Sequence, residues 1–434
     1  MKNTFVKLIS LLLTCALLIS FAACSKPEEP SESSNTEPKN DIGDIEPLGK
    51  SVDLMKDIVC AEVNSRPADD RFIKSQAEFG LSLFKKSIDD EKNSLISPLS
   101  VMLALAMTAN GAVGETLEEM ENVLGGDLTI DELNEYLHTY WSLLPSSEKA
   151  KLEIANSIWF RDDEYMIRVK EDFLKKNANY YSASIYKSPF DDTTVKDING
   201  WVDEHTDGMI DKIIDEIDPL TVMYLINAIC FDAEWMKPYN DYAVYEGDFY
   251  GLSGTTTAEL MRSEENRYVE DENAVGFIKP YEGGYSFMAI LPNEGMSLAD
   301  YIDTLEGDDL VQLYKNAEYA TVNATLPKFK YDYSILLNDV LKEMGINKAF
   351  GGGFSNLGES SLGELFINRV LHKTFIEVDN AGTRAAAVTA VEVTPECAMP
   401  IEPKIVKLDR PFLYAIVDNA TGLPIFIGTV NDIG

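Results

Sequence analysis

Apolar and polar positions alternate along the chain in two distinct rhythms. Early on, SQAEFGLSLFKKSI brings Phe79, Leu81, Leu83 and Phe84 near one stripe, and 51–88 reads as helical. NSLISPLSVMLALAMTANGA follows. Ser97-Pro98 breaks one element, and Pro98 suits the first turn of the next. From Leu99 to Met107 nearly every residue is apolar, which predicts a helix buried on most sides. TLEEMENVLG predicts a second helix ending at Gly125-Gly126. KLEIANSIWF alternates partly and predicts a strand. INGWVDEHTDGMIDKII predicts a further helix.

The rhythm then changes. TVMYLINAICF, YSFMAILP, YATVNATLPKF and LFINRVLHKTFIEVD are apolar runs of strand length without a helical stripe, the pattern of central strands in a covered sheet. KIVKLDRPFLYAIVDNATGLPIFIGTV predicts a hairpin closed by DNATG. Helices cluster first and strands later, so the class is α+β. No repeat and no second linker divides 51–434, which predicts one domain.

The N-terminus has a different character. Lys2 and Lys7 precede an apolar run from Leu8 to Phe21, then Ala22, Ala23 and Cys24. This is the form of an export signal rather than a membrane span. It resembles a bacterial lipoprotein signal (1–23), with Cys24 as the lipidated first mature residue, although Phe21 stands where Leu is commoner. Residues 24–50 are rich in Pro, Ser and Glu and lack an apolar period. They predict a disordered tether holding a body at the outer face of a cell membrane.

The 73 acidic residues against 37 basic ones give a net charge of -36. Phosphate-rich partners want the opposite sign, which excludes nucleic acid and disfavours anionic lipid surfaces. Any membrane contact is through the anchor alone. Of five cysteines, Cys15 leaves with the signal and Cys24 carries the lipid. Cys60, Cys230 and Cys397 are too few and too widely spaced for a disulfide framework or a metal motif. The three histidines do not pair at metal spacing. There is no GxSxG and no phosphate-cradling loop, so neither an enzyme nor a cofactor is indicated.

The stretch DNAGTRAAAVTAVEVTPECAMP (379–400) is too bland for an active site. At period two, Thr383, Ala385, Ala387, Thr389, Val391, Val393 and Pro395 form one neutral face of small and β-branched side chains. Arg384, Ala386, Val388, Ala390, Glu392 and Thr394 form the other. The first face can enter a sheet without burying a charge, and Gly382 supplies a pivot before it. By composition alone an edge strand or a short alanine-rich helix fits as well.

Several blocks in order resolve that choice. NSLISPLSVMLALAMTANGAVGETLEEMENVL, NSIWF, INGWVDEHTDGMI, LINAICFDAEWMKPY, GGYSFMAILP, TLPKF, LKEMGINKAFGGGFSNL, FIEVDNAGTRAAAVTA and DRPFLYAIVDNATGLPIFIGTV resemble the serpin family over 51–434. The resemblance implies three β-sheets, eight or nine helices and an exposed reactive loop at about 380–403. It implies a monomeric suicide inhibitor of serine proteases. The loop is cleaved, its hinge side enters the main sheet as a strand, and the acyl-enzyme is trapped. A binding protein that uses the fold without trapping is the alternative.

By the same resemblance Ser97, Ser100, Asn227 and His372 form the polar cluster where the sheet opens, although His372 also reads as a satisfied core histidine. Trp235 lies under the top of that sheet. Asn380, Gly382, Thr383, Ala385, Ala386, Ala387 and Thr389 form the hinge. Asn380 stands where Glu is usual, and Arg384 replaces another common Glu. Counting from Gly382 gives Glu396-Cys397 as the reactive bond. Counting back from Pro411 gives Pro400, so the loop is about four residues longer than a common spacing. Cleavage after Cys397, Ala398 or Met399 stays open. Glu396 would suit a glutamate-specific protease and the others an elastase-like or subtilisin-like one; a cysteine protease is a further candidate.

Overall fold

The computed structural model describes residues 49–55, 58, 60–383 and 402–433. Among them are nine α-helices and sheets of seven, nine and two strands. The seven-stranded main sheet runs, edge to edge, Val52–Asp53, Ser184–Ser188, Ala150–Arg161, Met223–Glu234, Gly382–Thr383, Leu371–Val378 and Phe329–Leu336. The nine-stranded sheet holds the closing hairpin of Phe412–Asp418 and Pro424–Val430 beside Tyr285–Pro292. Every residue of Tyr285–Pro292 and Phe412–Asp418 is buried, as expected for strands covered on both faces.

The helix Pro98–Ala109 lies against both Met223–Glu234 and Pro424–Val430. Eleven of its residues are buried, which explains an apolar run with no polar stripe. Ser97 caps it, its hydroxyl accepting from Ser100 N–H, and Pro98 occupies the first turn, where its missing donor costs nothing. On the opposite face of the main sheet, the helix Asp192–His205 closes a second cluster around Trp159, Tyr186, Phe190, Ile198 and Trp201.

Three expectations are corrected. The first helix is Asp70–Ser87, not 51–88. Val52, Met55 and Ile58 have helical spacing, but Val52–Asp53 instead pairs along the free edge of Ser184–Ser188, and Asp69 caps the helix two residues after Pro67. Tertiary pairing overrides local period here. The helix read over INGWVDEHTDGMIDKII stops at His205, because Asp207 and Gly208 take left-handed φ values of 50° and 70°. The strand in LFINRVLHKTFIEVD begins only at Leu371, and it alternates buried and half-buried residues rather than being covered on both faces.

No helix among the described residues is long and apolar enough to cross a membrane. No His/Cys/Asp/Glu cluster among them could hold a metal. Cys60 is exposed, and Cys230 is buried with its thiol against Met209 Sδ (3.6 Å). The leader, Cys24 and most of the tether lie outside the described residues.

Candidate functional site

The strands Met223–Glu234 and Leu371–Val378 are neighbours in the main sheet only through the two residues Gly382 and Thr383. Gly382 faces Glu234, and Thr383 faces Ala233 on one side and Val378 on the other, antiparallel to both. Among the described residues no pair joins the two long strands directly. Gly382 and Thr383 therefore form a two-residue strand inside the sheet.

A tight turn delivers it there. The Asp379 carboxylate accepts from Ala381 N–H (2.7 Å) and Gly382 N–H (3.1 Å), and Asp379 N–H donates to Gly382 O (2.9 Å). Such an Asx turn reverses the chain locally. Across from it, Trp235 N–H donates to Ala381 O (2.9 Å), Tyr239 N–H to Asn380 O (2.8 Å) and the Trp235 indole to Asp379 O (2.9 Å). Asn380 thus contributes through its carbonyl. Trp235 is buried and stacked on Tyr281 at 4.2 Å. The Tyr281 hydroxyl meets the Thr383 hydroxyl at 2.5 Å, so Thr383, only 3% exposed, points into the core with its polar atom paired.

Further along the same two strands lies the polar cluster. Ser97 N–H donates to His372 Nε2 (3.1 Å), which leaves the ring proton on Nδ1. The Ser100 hydroxyl donates to Asn227 Oδ1, Asn227 Nδ2 to Asn156 Oδ1 (2.7 Å), and Asn156 Nδ2 to Tyr181 O (3.2 Å). Burial holds His372 neutral, its pKa pushed down to about 4. A cavity of about 550 Å³ opens between the starts of the two strands, above the helix Pro98–Ala109. Ser100, Asn227 and His372 line it together with Leu105, Leu225 and Leu365.

The structure thus brings Ser97, Ser100, Asn227 and His372 to one opening, and Trp235, Asn380, Gly382 and Thr383 to its end. Ala385, Ala386, Ala387, Thr389, Glu396, Cys397, Ala398 and Met399 lie outside the described residues. Sequence reasoning missed Asn156, Asp379 and Tyr281. Asn156 had a signal: it stands in KLEIANSIWF as Asn227 stands in TVMYLINAICF, each an amide in an apolar run, and the two face each other in register. Tyr281 had none, because 102 positions separate it from its partner.

The main sheet thus seats a segment from near the C-terminus between two of its long strands. The family comparison agrees with that architecture. Residues 74–433 match the family model described as "Serpin (serine protease inhibitor)". A serpin-like protein of Thermococcus kodakarensis is 31% identical over 96% of this chain and 97% of its own. Among solved structures, the native state of the thermophilic serpin tengpin is 52% identical with a TM-score of 0.84, covering 88% of this chain and all of that one. Tengpin in its latent state scores 0.77 at 53% identity over 85% of this chain. The chain belongs to the serpin family, whose fold serves protease inhibition rather than catalysis.

Proposed function

We propose that this chain is a suicide inhibitor of serine proteases that traps its target by insertion of the hinge. The supporting observation is Thr383, seated between the two long strands with its side chain in the core. Carrying the observed register onward makes Phe231, Ile229, Asn227, Leu225 and Met223 the successive neighbours of Ala385, Ala387, Thr389, Val391 and Val393. On the other strand Thr389 comes opposite His372. The neutral face therefore follows Thr383 inward, and the Thr389 hydroxyl arrives where Asn227 and His372 line the cavity.

The strand length bears on the reactive bond. Its partner residues run out at Ala390, opposite Leu371, on one strand and at Val393, opposite Met223, on the other. Glu396 then lies just beyond the filled slot, close enough to carry a covalently held protease to its far end. The protease serine Oγ attacks the Glu396 carbonyl carbon. The Glu396–Cys397 amide breaks, and the proton taken from the serine leaves on the new Cys397 amine. An ester remains, and insertion outruns its hydrolysis. The target is a glutamate-specific protease if Glu396 is read, and an elastase-like or subtilisin-like one if Cys397, Ala398 or Met399 is.

In the same reading residues 1–23 are a lipoprotein-type signal, Cys24 carries the lipid, 24–50 form the tether, and 51–434 is a monomeric inhibitor at the outer cell surface. The test mixes the chain with elastase-, subtilisin-, chymotrypsin-, trypsin- and Glu-specific proteases. An SDS-stable complex, with a released C-terminal peptide beginning at Cys397, is expected. A loop cut by these proteases without complex and without gain in thermal stability refutes trapping and favours the binding-protein alternative. Globomycin-sensitive processing and acylation of Cys24 test the anchor.

A further inference from the structure

Lys279 and Glu265 form an ion pair at 2.8 Å, with side chains only 1% and 6% exposed. Lys279 Nζ also donates to Lys237 O (3.1 Å) and sits over the rings of Tyr239 (4.3 Å) and Trp235 (5.4 Å). Next to it in sequence, Pro280 O accepts from Met236 N–H (3.0 Å). The segment 235–239 is therefore gripped from one side by Lys279 and Pro280. From its other side come the three donors that hold Asp379, Asn380 and Ala381.

We propose that the Lys279–Glu265 pair is a positioning device for the hinge, setting the segment 235–239 in the one geometry that captures the turn 379–382. An ammonium at this place can bind a carbonyl, a carboxylate and two ring faces at once; an apolar side chain can bind none of them directionally. A buried ion pair is also a poor way to gain stability, since a well-packed apolar pair of similar volume does as well or better. Its presence is explained by geometry rather than by strength.

The inference rests on the inhibitor reading for its consequence, not for its geometry, and the test separates the two. The full chain is compared with Lys279→Met and with the double variant Lys279→Met/Glu265→Leu, which leaves no unpaired charge. The double variant is expected to melt within a few degrees of the parent. Amide exchange of the peptide carrying Trp235 and Tyr239 rises at least tenfold, while that of the peptide carrying Phe412–Asp418 is unchanged. With a protease that the parent traps, more inhibitor is consumed per protease trapped, by severalfold. Exchange at 235–239 equal to the parent, a rise shared by both peptides, or a double variant that fails to fold each overturns the proposal. If the parent traps no protease, the proposed function fails, and the exchange comparison still decides this inference.

Discussion

In the proposed mechanism, Thr383→Arg should turn the chain from inhibitor into substrate. Thr383 is 3% exposed, between Ala233 and Val378, and its hydroxyl is paired with that of Tyr281. Arginine there removes the partner of a fully buried phenol, a loss of about 1–3 kcal/mol. It must also bury a cation, which costs several kcal/mol more after relaxation. No carboxylate replaces the threonine's partner, since the neighbours are Tyr281, Ala233 and Val378. A combined penalty of about 4 kcal/mol on seating this rung slows insertion by about a thousandfold. Deacylation of the protease is untouched, because the loop around the scissile bond is unchanged. The acyl-enzyme then hydrolyses before the sheet can close on the loop. The assay titrates a fixed amount of protease and counts inhibitor consumed per protease inactivated, with gels to separate complex from cut loop. The cut form is expected to accumulate with almost no complex. Thr383→Val, which loses only the hydroxyl pairing, should cost about 1 kcal/mol and remain an inhibitor. If Thr383→Arg inhibits as efficiently as the parent, entry of this hinge into the sheet is not how the chain works.

Three further perturbations follow from the geometry. His372 has a folded pKa of about 4 against an ordinary 6.5, so the unfolded chain binds more protons between those values, and stability is full above pH 6.5 and lost as pH falls through 4. The loss amounts to about 3 kcal/mol; urea midpoints at pH 7 and 4.5 should fall further for the parent than for His372→Gln, and equal falls would refute this. Arg384 lies outside the described residues; in the proposed insertion, one more rung of the Thr383 register would set it between Asp232 and Glu377. Arg384→Glu would replace two attractive cross-strand pairs by two repulsive ones, about 1–2 kcal/mol in all, so inhibitor consumed per protease should rise up to about thirtyfold; an unchanged ratio would exclude that rung from the rate-determining part of insertion. Asp197 accepts from Gly49 N–H (2.9 Å) and from the Ser51 hydroxyl (2.5 Å), holding the segment that caps the sheet edge. Asp197→Ala should lower stability by about 1–3 kcal/mol and open Gly49–Asp53 to limited proteolysis, and unaltered cleavage would argue against that role.

Local pattern carried much of the architecture. The helix Pro98–Ala109 was legible because a Ser-Pro start and an uninterrupted apolar run have few other solutions. The closing hairpin was legible from DNATG between two apolar runs, and Asp418 does turn the chain there, accepting from the Ala420 and Thr421 amides. The neutral face of the hinge could be seen from period two alone, and Thr383 points as that face requires. What could not be read was anything set by distant partners. Val52–Asp53 is a strand only because Ser184–Ser188 offers an open edge, and its own spacing argued for a helix. The turn Asp379–Gly382 depends on Trp235 and Tyr239, and these in turn on Lys279 and Glu265, residues whose own neighbourhoods give no hint of one another.

The two seated hinge residues also act on information. A strand entering a sheet can settle in many alignments, and a slip of one position would send Arg384 and Glu392 into the core in place of Thr383 and Val391. If the strand enters as proposed, its alignment is set in advance by one rung whose hydroxyl is matched to Tyr281 and whose turn is matched to Trp235. In the proposed mechanism, cutting the loop would release a process with its reading frame already chosen. Residues farther along can answer to the protease that must recognise them, because they no longer have to find their own place.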